Sequence, residues 1–77
     1  MNVLEQIKEI ISGICGVPVN EILETNTVGD FPTWDSIGHL TILSTIEETF
    51  DINFEPEEMM ELEDVRDIVK AVESKLQ

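Results

Sequence analysis

Ser36-Ile37-Gly38-His39-Leu40-Thr41-Ile42-Leu43-Ser44-Thr45-Ile46-Glu47-Glu48-Thr49-Phe50 is the stretch on which the fold turns. Thr41, Ile42, Thr45, Ile46 and Thr49 are β-branched and weak helix formers, which argues for a strand. A half-buried strand needs alternation, however, and neither parity of this stretch is consistently apolar. At about 100° per residue, Ile42, Leu43, Ile46 and Phe50 fall on one stripe, with His39 and Leu40 at its margins. Thr41, Ser44, Thr45 and Glu48 share the opposite face. The stretch reads as a helix.

Upstream, Leu4, Ile7, Ile10 or Ile11, and Ile14 recur at helical spacing, with Asn2 and Glu5 as a capping box and Gly16 and Pro18 as a stop. Residues 17–35 hold no sustained period. A connection of that length is unusual in a compact domain and is often functional. Val19, Ile22, Leu23, Val28 and Phe31 are expected to pin it to the core, with a helical turn near Asn20 to Leu23. Downstream, Glu55-Pro56-Glu57-Glu58 opens a short helix that ends near Leu62, since proline suits the first position and acids suit the positive end of the dipole. Val65, Ile68, Val69, Val72 and Leu76 give a last amphipathic helix. The expected fold is all-α: a small bundle of three longer helices and a short one, with a long first loop.

Seventy-seven residues make a single domain, 1–77, with a thin core. The one cysteine, Cys15, allows no internal disulfide and suits a reducing compartment. Charges at Glu5, Lys8 and Glu9 interrupt any signal peptide, and no apolar run approaches a bilayer span. A cytoplasmic monomer is expected. Lys8, Arg66, Lys70 and Lys75 oppose seventeen acids, a formal net charge of −13. That surface repels nucleic-acid backbones and anionic lipid heads, so neither nucleic acid nor membrane insertion is expected. Basic protein patches are its natural partners, although the same charge also serves plain solubility. Self-repulsion leads one to expect that mild acid, salt or a divalent cation raises the melting temperature.

Chemistry concentrates at Trp34-Asp35-Ser36-Ile37-Gly38-His39-Leu40. Aspartate and serine at the mouth of a helix are commonly caps and need no further role. Ser36 does not fit a hydrolytic nucleophile, because Trp34 stands where the nucleophile elbow wants glycine. The only histidine, His39, has no evident orienting acid, so no triad assembles and no enzyme is expected. Asp51, Asn53 and Glu55 start like a calcium loop, but Pro56 and Leu62 occupy the positions that need glycine and glutamate. Cys15 and His39 are too few for zinc, and no metal site is expected.

The arrangement resembles the acyl and peptidyl carrier protein family. The family's Asp-Ser-Leu attachment motif stands here as Asp35-Ser36-Ile37. The likeness extends through the first helix, the long connection, Ile46-Glu47-Glu48-Thr49-Phe50-Asp51, the Glu55-Pro56-Glu57-Glu58 step and Leu62-Glu63-Asp64-Val65-Arg66-Asp67-Ile68-Val69.

The resemblance implies that a phosphopantetheinyl transferase joins a 4'-phosphopantetheine arm from coenzyme A to Ser36, and that the transferase recognises Asp35. Acyl or aminoacyl cargo would ride on the arm as a thioester, loaded by an activating ligase and delivered to acyl transferases. The second helix would be the docking face for partners, with Ile37, Gly38, Leu40, Thr41, Ser44, Glu47 and Glu48 on it. Cargo, where sequestered, would lie among Leu43, Ile46, Phe54, Met59, Met60 and Leu62. Fatty-acid carriers commonly have acids two and five positions after the serine, where this chain has Gly38 and Thr41. Ten acids instead lie from Glu47 to Asp67. With Trp34 before the motif, this looks more like a free-standing carrier of a specialised pathway than a housekeeping fatty-acid carrier. An unmodified acidic interaction module is the reading from another class.

Overall fold

The computed structural model describes residues 2–77. Four helices run in order: α1 Val3–Cys15, α2 Ser36–Phe50, α3 Pro56–Glu61 and α4 Val65–Lys75, with a 3-10 turn at Val19–Glu21. Among the described residues there is no strand, only an isolated antiparallel bridge between Thr27 and Asp64. The all-α carrier-type bundle read from the sequence is the observed fold.

Each helix starts where a side chain takes an orphan N–H group. Asn2 Oδ1 accepts from Glu5 at 2.8 Å, Asp35 Oδ1 from Gly38 at 2.8 Å, and Asp64 Oδ1 from Asp67 at 2.8 Å. In α3 the arrangement is reversed: Glu58 Oε1 accepts the Glu55 N–H at 2.9 Å. The stops differ in chemistry. Gly16 ends α1 at φ 69° without steric cost, whereas Asp51 ends α2 at φ 55° and carries a β-carbon into the left-handed region.

The stripe read along α2 is real: Ile42, Leu43 and Ile46 are wholly buried, Phe50 half-buried. They meet Ile7 and Ile11 of α1 and Val65, Ile68, Val69 and Val72 of α4 in one core. The threonines that argued for a strand bond back along the helix, Thr41 Oγ1 to Ile37 O and Thr45 Oγ1 to Thr41 O. That spends their hydroxyls locally and lets β-branched residues stay helical.

The long connection is ordered by its own bonds. Asn26 Oδ1 accepts from Leu23 N–H, and Asp30 Oδ2 accepts from both Asn26 Nδ2 and Thr27 N–H. Backbone bonds then stitch it to the α3–α4 corner: Val28 N–H to Glu63 O, Val65 N–H to Asn26 O and Arg66 N–H to Glu24 O, each 3.0 Å. Ile22 is buried, and Val28 and Phe31 pack against the core. Val19 and Leu23, expected to pin the loop, are exposed instead, because those bonds leave their side chains outside.

Candidate functional site

The loop delivers Ser36 to the surface by clamping the residues just before it. Trp34 has no exposed surface; its N–H donates to Phe31 O, and its carbonyl accepts from Gly29. Its ring lies against Phe31 and His39, with centroids 6.2 Å away in each case. Thr33 Oγ1 donates to Cys15 O at the end of α1. After these anchors the chain turns outward, and Asp35, Ser36 and Ile37 are all exposed.

Asp35 is the N-cap of α2, so the capping reading holds whatever else it does. Ser36 is the first residue of the helix. Among the described residues, no protein group accepts the Ser36 or Ile37 N–H. An exposed hydroxyl beside open N–H groups at the positive end of a fifteen-residue helix suits a covalently held phosphodiester. The residues present therefore fit a phosphopantetheine arm.

His39, one turn along, is half-buried and bridges two elements. Trp34 Nε1–H donates to His39 Nδ1 at 3.0 Å, and His39 Nε2 meets the Leu62 carbonyl at the end of α3. Burial pushes the imidazole below its ordinary pKa, against a pull upward from the Leu62 carbonyl and the Glu63 charge. Sequence reading found no partner for His39. The signal was available in Trp34, a buried indole that must find an acceptor.

Two residues expected on the docking face have another place. A β-carbon on Gly38 would sit 1.9 Å from the Thr33 carbonyl oxygen, so the loop lies directly on this glycine. Gly38 is a packing requirement, and the space an acid would need there is filled by backbone. Glu47 is half-buried, with Oε2 accepting the Phe54 N–H at 2.8 Å, which closes the α2–α3 connection. Ile37, Leu40, Thr41, Ser44 and Glu48 are exposed as expected, Ile37 at 77%.

The expected cargo residues divide too. Leu43, Ile46, Phe54 and Leu62 lie in the core, and Met59 packs against it. Met60 is 81% exposed and belongs with Ile37 and Leu40 among the outward apolar side chains, because the single turn and a half of α3 turns it away from the core. A groove of about 400 Å³ lies elsewhere, lined by Leu4, Glu24, Arg66, Val69 and Lys70 among others. No group of three or more metal-ligating side chains occurs among the described residues, and no helix there is long and apolar enough to cross a membrane.

Comparison with known proteins agrees with this geometry. The family model described as the phosphopantetheine attachment site matches residues 5–72. An acyl carrier protein of Buchnera aphidicola subsp. Schizaphis graminum is 32% identical over 74 residues, covering 96% of this chain and 94% of that protein.

Proposed function

This chain belongs to the phosphopantetheine-binding acyl carrier family, whose members hold a covalent 4'-phosphopantetheine and work with partner enzymes, and from that premise we propose that Ser36 is its attachment residue. The observation that carries the reading is the exposed Ser36 hydroxyl at the open N-terminus of α2. In attachment the Oγ bonds to the phosphorus bearing the pantetheine arm of coenzyme A. Adenosine 3',5'-bisphosphate leaves, and the hydroxyl proton passes to the transferase.

Asp35 has a second role beyond its cap: its exposed carboxylate gives a phosphopantetheinyl transferase a charge to register against. Ile37, Leu40, Thr41, Ser44 and Glu48 form the face that partners meet, with Met60 beside them in character. The arm then presents acyl or aminoacyl groups, activated by a ligase and passed to transferases, in the cytoplasm and from a monomer. The near-neutral start of α2 favours a specialised pathway over housekeeping fatty-acid synthesis. Thr41 stands at the surface where fatty-acid carriers commonly offer an acid, and Gly38 has no room for one. Cargo that is sheltered by the protein has to part Leu43, Ile46, Phe54 and Leu62, which are closed in the core.

The test is intact mass after incubation with coenzyme A, magnesium and a broad-specificity transferase. The wild type is expected to gain one phosphopantetheine and Ser36→Ala none, while both keep the same far-ultraviolet circular dichroism. A Ser36→Ala protein that still gains the arm, or a wild type that never does, overturns the assignment.

A further inference from the structure

We infer that His39 is a positioning residue for Ser36: as the neutral imidazole it clasps the loop before the serine to the α3–α4 corner, and taking up a proton opens the clasp. The inference rests on Ser36 being the attachment residue, but the clasp itself stands on its own geometry. The Trp34 indole N–H can only donate, and the Leu62 carbonyl can only accept. One state of the ring satisfies both, the neutral tautomer with its hydrogen on Nε2. A proton added at Nδ1 would face the indole N–H across 3.0 Å, two donors with nothing to accept. The indole is sealed from water, so its N–H cannot turn to solvent without the ring leaving its seat.

Ser36 lies inside the bow that this clasp closes, two residues after Trp34 and three before His39. Gly38, under the Thr33 carbonyl, makes the bow tight. The charged groups that face the ring are few. Glu63 comes from the α3–α4 corner; Asp35, at the start of the same helix, has one oxygen held by Gly38 N–H; the loop side offers Phe31 and Trp34, which do not titrate in this range. Glu63 draws a proton toward the ring while burial resists it, so the clasp opens on acidification below the ordinary histidine range. Its opening releases the Trp34 end and with it the Ser36 turn, while the Nε2 hydrogen still donates to Leu62.

Trp34 and His39 are the chain's only tryptophan and histidine, so both ends of the clasp report without labelling. The first measurement uses the unmodified wild type. Imidazole nitrogen shifts are expected to show hydrogen on Nε2 alone at neutral pH, and Trp34 emission to change with a midpoint below 6.5. The second compares His39→Gln, whose amide accepts from the indole and donates to Leu62 without titrating, and His39→Leu, which does neither. Arm-attachment rates of wild type relative to His39→Gln should be level above neutrality and fall several-fold through the emission midpoint. His39→Leu should be several-fold slow at every pH and show no emission transition. A hydrogen on Nδ1 in the neutral form, no emission transition in the wild type, or parallel rate profiles for wild type and His39→Gln overturns the clasp. An emission transition in a protein that never accepts the arm instead overturns Ser36 as the attachment site and leaves the clasp standing.

Discussion

Gly38 and Gly13 both sit inside helices, yet the structure assigns them opposite consequences. Glycine in a helix interior costs about 0.5–1 kcal/mol relative to alanine. At Gly13 nothing lies within 4 Å of where a β-carbon would go, so Gly13→Ala should recover that cost. At Gly38 the same β-carbon meets the Thr33 carbonyl oxygen at 1.9 Å, and backbone has to shift. Gly38→Ala should therefore lose about 1–3 kcal/mol, the usual range for overpacking. Urea unfolding of the two variants checks the pair, and a Gly38→Ala protein as stable as wild type would refute the close contact. From the sequence, Gly38 was expected on the docking face, at a position where fatty-acid carriers commonly have an acid. Nothing local to α2 reveals that a carbonyl five residues earlier lies on it. That contact comes from the loop's path, which Trp34, Thr33 and the α1 terminus fix together.

At the scale of the element, α2 begins on Asp35, whose carboxylate both caps the helix and bears a charge beside the serine. Asparagine caps about as well as aspartate, while alanine does not cap. Asp35→Asn should thus leave the melting temperature nearly unchanged and slow arm attachment; Asp35→Ala should lose a further 0.5–2 kcal/mol or about that range of stability. An electrostatic encounter weakens with salt, so attachment rates of wild type and Asp35→Asn should converge as salt rises. Rates that keep a constant ratio would assign Asp35 to capping alone. The helices, their order and their stripes were legible because they are periodic: Ile42, Leu43 and Ile46 stand where the wheel put them. The caps at Asn2 and Asp35 were legible because each acts within three residues, whereas the Asp64 cap went unread. The division of the cargo residues was not, since Met59 and Met60 are neighbours of one type, and only the short turn of α3 decides which faces out. Glu47 was misplaced for a related reason: its bond to Phe54 N–H belongs to a connection that has no period to read.

The whole molecule measures 30 × 27 × 20 Å and carries a formal charge of −13. At about 0.01 M salt the screening length is about 30 Å and spans it from end to end; at 0.15 M it shrinks to about 8 Å. Among the described residues one ion pair offsets the repulsion, Lys75 Nζ to Glu58 Oε1 at 2.9 Å, where Lys75 also lies over Phe54 and ties α4 to α3. Raising the salt should therefore raise the melting temperature, and each 1 kcal/mol gained moves it by about 4–8 °C in a domain of this size. Acid is a different matter, although composition alone suggests that it should act like salt. Carboxylates as a class titrate near pH 4, so little repulsion is relieved between pH 7 and 5.5. Burial holds the folded His39 imidazole below the ordinary 6.5, so the unfolded chain binds the proton more readily than the folded one. Its contribution is complete above the unfolded value and is lost as the pH falls through the folded one. Asp30, held low by the Thr27 N–H and the Asn26 amide, and Glu58, held low by the Glu55 N–H and Lys75, have the same sign further down. Their contributions stand above about pH 4.5 and disappear below it. The melting temperature at fixed high salt should accordingly fall from pH 7 to 5.5 in the wild type and stay level in His39→Gln. Calorimetric scans of the two proteins decide it: a wild type that gains stability across that interval would mean that surface repulsion outweighs the half-buried imidazole.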